Sequence, residues 1–474
     1  VFSNLSLDRF RLQPHLWWLS LLLLTVVTYW PVRGYDFVNW DDPWYVVHNE
    51  YLRSWSPSNL KAIATDVINR NYSPVVIFSL LLEYTFFGLE PAGYHVVNVL
   101  LHAFCATLTC VLITQLSDDR RIGWFTAALF AMHPVQIESV AWISSIKGLV
   151  SGVFILAHLI CWMRPERTAR QELWGLFFFV AALLAKSLTV VVPAIVLLYD
   201  LMICRKKFTE ALARQIIPGV LSLWMLLTTM SAQTSSLGGV RDHMHLSKGQ
   251  ILAVDALILR DYVRMLVWPR GLSVMYDVPV TGIAGEVALT SLGWIVVSAG
   301  LWRIRRRYPL IVLAAASFLL LLIPVLNLTP ITTLMNERYL YLPCIPFFAM
   351  LTGGMLRLLE VCRQSHLSGT EGTTLPARFW LPAGAVLGLL LVASRLHLPV
   401  WQNDRSLWEH ALRHAPNLPL VRIQYALMLN NEGRSQEAVQ VLEDTLVQLQ
   451  PDPLDEERIR EKIHLWTAGT SAGI

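Results

Sequence analysis

Charge is scarce in this chain. Of its 474 residues only 15% are Asp, Glu, Lys or Arg, and the two signs nearly cancel to a formal +4. Against 54% apolar residues and 18 tryptophans, so little charge excludes an ordinary soluble enzyme and leaves no basic face for nucleic acid; it points to a multi-pass membrane protein. Cysteine is thin as well. The six are scattered, four of them (Cys105, Cys110, Cys161, Cys204) within apolar runs, and no CxxC or metal-like spacing occurs, so neither disulfides nor a structural zinc are expected. A small-residue cleavage site is also missing after the apolar stretch Leu16 to Trp30, which follows Arg9 and Arg11. That stretch is therefore expected to be a retained span rather than a signal peptide, and a first residue of Val suggests that a preceding segment exists.

What the chain has is long apolar segments. Spans are expected near 15–31, 95–116, 122–136, 140–163, 172–187, 189–204, 215–231, 286–302, 309–323, 339–358 and 378–396, each approaching the roughly 20 residues a crossing helix needs. The fold class is thus all-α, a polytopic membrane protein with about eleven transmembrane helices. Basic residues test the count. Arg9 and Arg11, Arg120 and Arg121, Arg164, Arg167 and Arg170, Arg205 to Lys207, Arg303 to Arg307, and Arg357 with Arg363 fall on alternate ends of these spans, all on one side of the membrane. By the positive-inside rule that side is cytoplasmic. The loops 32–94, 136–140, 232–285 and 324–338 and the C-terminal segment then lie outside, and the N-terminus inside.

The first outer loop, 32–94, opens with Tyr35-Asp-Phe-Val-Asn-Trp-Asp-Asp42. Asp41 and Asp42 sit among aromatic residues where a chain has just left a bilayer, a place that raises carboxyl pKa values toward working pH and suits a general base. The competing structural reading is that Asp42 caps a helix whose first residue is Pro43. Tyr51 to Arg70 has the character of an interfacial helix, and Pro74 to Leu89, apolar but holding Glu83, of a helix lying at or dipping into the outer surface. His95, Asn98 and His102 follow, the last two on one helix face; such groups more often join helices than bind ligands.

His133 and Glu138 flank the short outer turn 136–140, Lys147 lies in the outer part of the fourth span, and Lys186 ends the fifth. An ammonium at that depth calls for an anion. A carboxylate such as Glu138 would meet the need structurally and a phosphate functionally. In the loop 232–285, His243 and His245 lack a nearby third metal ligand, Ile251 to Trp268 is amphipathic, and Arg260 and Arg264 form a basic ridge. Glu337 and Arg338, before Tyr339, are adjacent and so suited to two separate partners rather than one salt bridge. In the tail, Trp408, Ala411, Ala415, Tyr425, Ala426, Leu429, Gly433, Ala438, Leu442, Leu446 and Pro451 have the spacing of a helix, a turn at Asn430 to Arg434 and a second helix, like one 34-residue tetratricopeptide repeat. A lone repeat must stack on something else. The domains expected are a membrane domain, 1–398, and an extracytoplasmic helical tail, 399–474.

Phe-Val-Asn-Trp-Asp-Asp (37–42), Phe-Phe-Gly-Leu-Glu-Pro-Ala-Gly-Tyr-His-Val-Val-Asn-Val-Leu-Leu-His (86–102), His-Pro-Val-Gln-Ile-Glu-Ser-Val-Ala-Trp (133–142), Leu-Leu-Ala-Lys (183–186), Trp-Pro-Arg-Gly-Leu-Ser-Val (268–274) and Glu-Arg-Tyr-Leu-Tyr-Leu-Pro (337–343) run in one order along the chain. With the repeat, they resemble the transmembrane and tetratricopeptide-repeat-containing O-mannosyltransferases and their bacterial relatives, within the C-type multi-pass glycosyltransferases. The resemblance implies an inverting transfer of a sugar from a polyprenyl- or dolichyl-phosphate carrier to a hydroxyl of a protein or glycan, on the extracytoplasmic face of what would be a bacterial inner membrane. It implies a base at Asp41 or Asp42 and a donor phosphate at Lys186 and Arg338, with Lys147 a further cation; His95, His102, His133, Glu138, Glu337 and Tyr339 would support the pocket. No metal is needed when cations meet a monophosphate. The chain departs from relatives at Ser73, at Gly148 after Lys147 and at Ser187 after Lys186, where an arginine in the first place and acidic residues in the other two are common. The rival readings are a non-catalytic scaffold binding a partner through 401–451, and a lipid-linked sugar flippase, against which stands the gathering of charge at the outer rim rather than the midplane.

Overall fold

A computed structural model of the chain describes residues 14–68, 71–234, 246–327, 333–366 and 377–471. Arg9, Arg11, Arg70, Arg241, Asp242, His243 and His245 lie outside them. Among the described residues the secondary structure is helical, with a single isolated bridge between Ile68 and Asn71. Cys105, Cys110, Cys161, Cys204 and Cys344 are free thiols.

Each of the eleven expected spans coincides with a helix, but among the described residues six helices are long and apolar enough to cross by themselves: Leu16–Gly34, Pro91–Ser117, Ile143–Trp162, Ala284–Ile304, Cys344–Val361 and Leu381–Trp401. Pro91–Ser117 has 27 residues, about 40 Å at 1.5 Å per residue. Arg120–Met132 has 13, about 20 Å. It is almost wholly buried from Phe125 onward, so neighbouring helices rather than lipid surround it. Pro74–Phe87 buries Val76, Ile77, Leu80 and Leu81 and leaves Phe78, Leu82 and Phe86 exposed. This two-sided face suits a helix lodged at the outer border, as its sequence suggests. The amphipathic piece after residue 250 becomes Lys248–Val267, started by a capping box of Ser247 and Gln250 and burying Tyr262 and Met265.

One expectation is corrected. The short turn expected at 136–140 is part of a longer, helical segment: His133 to Ser145 are all buried, as a 3-10 turn Pro134–Gln136, a short helix Ile137–Ala141 and a second 3-10 turn Ile143–Ser145. The reason lies in what covers them. Trp401 stacks on Trp142 at 5.9 Å, and the tail helix Asp404–His414 brings Trp408 edge-on to Trp40 at 5.6 Å. Both tail tryptophans are fully buried, each removing 150–250 Å² of largely apolar surface from water.

The expected repeat is present as Pro419–Asn431 and Ser435–Leu449, turned through Gly433 at φ +79°. The segment before it is a separate helix, Asp404–His414, because Pro416 lacks an amide donor and pushes Ala415 out of helical conformation. That extra helix, with Pro453–Ser471 on the far side, supplies the stacking partners a single repeat needs.

Candidate functional site

The acidic stretch is held from both sides. From below, the backbone N–H and hydroxyl of Ser144 donate to Asp42 Oδ1 at 2.9 and 2.5 Å, and the Val38 N–H donates to Asp42 Oδ2 at 3.0 Å. From above, Asp36 N–H donates to the Gln402 carbonyl at 3.0 Å and Asn39 N–H to Asp404 Oδ1. Asp42 does precede a helical turn beginning at Pro43, but its side chain does not cap it. The carboxylate ties the loop to the buried turn instead. Burial lifts the Asp42 carboxyl to about 6, against the pull of the Ser144 and Val38 donors.

Asp41 has a different setting. Its Oδ2 lies 3.5 Å from Lys147 Nζ, with side chains 28% and 19% exposed, and the same ammonium rests over the Tyr45 ring at 4.0 Å. The pair of aspartates that the sequence leaves equivalent is thus divided into a buried loop tie, Asp42, and a partly open carboxylate, Asp41. Lys147, expected as a phosphate ligand, is taken up by Asp41.

Lys186 ends the Ala169–Ala185 helix and projects over the first turn of Ile146–Trp162, where a Cβ on Gly148 would lie 3.8 Å from its Nζ. No carboxylate lies within 4 Å of it among the described residues. An acid at 148 would meet Lys186, and the residue there is glycine. Lys147, Arg338 and Glu138 all act on Lys186 electrostatically, and Asp41 acts on Arg338. Five charged groups, from residues 41, 138, 147, 186 and 338, therefore form one cluster within electrostatic reach of one another.

Glu337 and Arg338 turn apart, as adjacent residues in their 3-10 turn must. Arg338 pairs with Glu138, its N–H donating to Oε2 at 2.8 Å and its guanidinium to Oε1 at 2.5 Å, while its side chain stays 18% exposed. A guanidinium has five N–H donors, so donors remain after this pair. Glu337 faces inward. Its Oε1 accepts from Ser273 N–H at 2.6 Å and Tyr276 hydroxyl at 2.5 Å. Burial, and then the nearby Glu138, push the Glu337 carboxyl well up. The remaining support residues are structural: Asn98 donates to the Trp142 carbonyl at 3.2 Å, His102 bonds Tyr341 hydroxyl at 3.0 Å, His133 Nδ1 accepts from Val135 N–H at 3.2 Å, and Tyr35 packs edge-on to buried His95 at 6.2 Å. Tyr339 hydroxyl contacts Thr333 at 3.3 Å.

Arg260 pairs with Glu286 and Asp261, and Arg264 with Asp261, all on the exterior. The basic ridge is an ion-paired surface outside the cluster. Among the described residues no group of three or more His, Cys, Asp or Glu is arranged to hold a metal ion. The Tyr45 ring, Ser273, Tyr276 and Asp404 join the site or its supports without any sequence signal, because each acts through a contact between distant segments.

No protein-family model matches the chain. Curated relatives do. The protein O-mannosyl-transferase tmtc2 of Xenopus laevis is 33% identical over 145 residues, 29% of this chain and 17% of that protein. The protein O-mannosyl-transferase F38B6.6 of Caenorhabditis elegans is 31% identical over 153 residues, 30% of this chain and 22% of that protein. Mouse protein O-mannosyl-transferase TMTC1 is 28% identical over 197 residues, 36% and 20%. The matched segment spans about a fifth of these relatives' lengths. The apo Archaeoglobus fulgidus oligosaccharyltransferase superposes with a TM-score of 0.46 at 12% identity, covering 94% of this chain and 61% of that one, a likeness too loose to carry a functional argument. By the sequence matches, this chain is similar to the protein O-mannosyl-transferases that its motifs resemble.

Proposed function

We propose that the chain is an integral membrane glycosyltransferase that moves a sugar from a polyprenyl-phosphate-type carrier to a hydroxyl, a protein Ser or Thr by analogy with its relatives, on the extracytoplasmic face and with inversion. The observation that carries this reading is Lys186: an ammonium at a membrane border, without a carboxylate partner, in the cluster that also holds Asp41 and Arg338. A charge in such a place costs several kcal/mol unless an anion answers it. A carrier's phosphate is such an anion.

In this reading Asp41 accepts the proton of the acceptor hydroxyl as its oxygen attacks the anomeric carbon. The bond from that carbon to the phosphate oxygen breaks with inversion, and the electron pair leaves with the polyprenyl phosphate. Lys186 and the free donors of Arg338 stabilise the charge growing on that phosphate. Lys147 aims Asp41, Glu138 orients Arg338, and Asp42 fixes the loop. The steps need no metal, since both charges are met by side chains. The domains proposed are a membrane part to about residue 398 and a tail that braces the first loop. The test is transfer from a labelled polyprenyl-phosphate sugar to acceptor peptide by the purified protein, with the product anomer read by NMR. An inverted product that requires Asp41 and Lys186 supports the reading. Unaltered tail-dependent partner binding with no transfer in any variant would instead favour a scaffold.

A further inference from the structure

The helical bundle contains an apolar cavity whose charged mouth lies toward the far ends of helices that begin near Asp41 and Lys186. Pro91–Ser117 passes the candidate site at His95 and lines the cavity from Leu112 to Ser117, about 25 Å further along the helix. Ile146–Trp162 lines it from Ile155 onward, and Cys344–His366 runs along its length, from Ile345 at the inner end to Arg357 and Glu360 at the mouth. Its volume is about 360 Å³, within the range of small-molecule sites and enough for one acyl chain.

Its walls and mouth differ in chemistry. The walls are apolar, with Leu112, Leu159, Ile195, Leu313 and Ile345 among them, and a space so lined holds water poorly. The mouth carries Arg121, Arg307 and Arg357. Arg121 is spoken for, by Asp119 at 2.6 Å and Glu360 at 3.1 Å, which uses both of the nearer acids; the third, Asp118, is exposed. Arg307 meets only the Tyr308 ring, at 5.4 Å, and neither it nor Arg357 has a carboxylate partner among the described residues. Two unanswered cations thus flank the opening of a greasy slot, on the arginine-rich side of the bundle where an inner leaflet's head groups would lie.

We infer that this cavity binds an anionic phospholipid, with one acyl chain between the helices and the phosphate held by Arg307 and Arg357. A zwitterionic lipid offers the same chain but cancels the attraction, so charge is what selects the occupant. Each arginine close to an anionic head favours it by about fivefold, giving about twenty-five-fold for the two.

The test is native mass spectrometry of the delipidated full chain in detergent, titrated with phosphatidylglycerol and phosphatidylcholine at equal concentration. The wild type is expected to prefer phosphatidylglycerol by roughly twenty-five-fold, and the double variant R307Q/R357Q to fall to near parity. Ala349 lines the cavity, and Ala349→Trp, which fills it, is expected to lose tight binding of both lipids. Because Arg307 and Arg357 make no packing contacts in the core, the double variant keeps the test meaningful should Ala349→Trp fail to fold. Equal retention of both lipids by the wild type, or an undiminished preference in R307Q/R357Q, overturns the proposal.

Discussion

Asp41→Asn and Asp42→Asn each exchange one carboxylate oxygen for an amide nitrogen, at neighbouring positions, yet they are expected to fail in opposite ways. Asp41 makes one ion pair, 3.5 Å from Lys147, between side chains 28% and 19% exposed. A pair that open is worth about 0–1 kcal/mol, so Asp41→Asn keeps its melting temperature close to that of the wild type. Loss of a general base costs about 10²–10⁴ in rate, and that loss is expected in kcat, with donor binding retained. Asp42 is fully buried and accepts from three donors, two on Ser144 and one on Val38. Its amide retains an oxygen for Ser144 but turns an N–H₂ toward the Val38 N–H, which leaves buried donors facing each other. One such orphan costs about 1–3 kcal/mol. Asp42→Asn is therefore expected to unfold earlier and to expose the first loop to protease. The assays are thermal unfolding in detergent, limited proteolysis, and initial rates of transfer at saturating donor. A fully active, stable Asp41→Asn, or an inactive Asp42→Asn with wild-type stability, would refute the division of the pair.

Lys186→Gln is expected to raise the donor KM by at least tenfold with little change in stability, measured by donor titration; a Km unchanged from wild type removes the phosphate from Lys186. Arg338→Lys is expected to lose most activity despite keeping its charge: the backbone N–H still bonds Glu138, but an ammonium lacks the planar fork that lets a guanidinium bond Glu138 Oε1 and still turn other N–H donors to a phosphate; full activity would show that charge alone suffices. Glu337→Gln is expected to be tolerated to within about 1 kcal/mol in thermal unfolding, since burial disfavours the charged form of that carboxyl and an amide oxygen accepts from Ser273 and Tyr276 as well. Acid is expected to loosen the tail. Burial lowers the pKa of His410, which bonds the Leu272 carbonyl and stacks on His414 at 4.1 Å. The folded state therefore binds this proton less readily than the unfolded state does, and stability present above about pH 6.5 is lost as pH falls below it. Hydrogen exchange at 404–414 should speed up between pH 7.5 and 5 after correction for intrinsic rates; unchanged protection would contradict the assignment.

The extent to which this fold could be read from sequence follows the range of the forces involved. Apolar runs with alternating basic ends are local, so a helix lies at every expected span, and the turn at Gly433 falls where the repeat spacing places it. The opposed directions of Glu337 and Arg338 are a matter of adjacent backbone geometry and were equally legible. Less could be read at positions 41 and 42. Nothing near them distinguishes the two carboxylates, because Ser144 and Lys147, which separate their roles, are about a hundred residues away. The brace from Asp404 is farther still, and the burial of 136–140 depends on Trp401 and Trp408 from the tail. The missing acid at 148 was visible as a departure from the family pattern. Its consequence, an ammonium without a partner, needed the packing of the Ala169–Ala185 helix against Ile146–Trp162.

The most direct measurement is a cryo-EM map of the protein with a polyprenyl-phosphate sugar bound. The account places the phosphate within about 3 Å of Lys186 Nζ, against Arg338, with the anomeric carbon facing Asp41. A head group resting elsewhere on the bundle, with Lys186 left in contact with solvent alone, would contradict it.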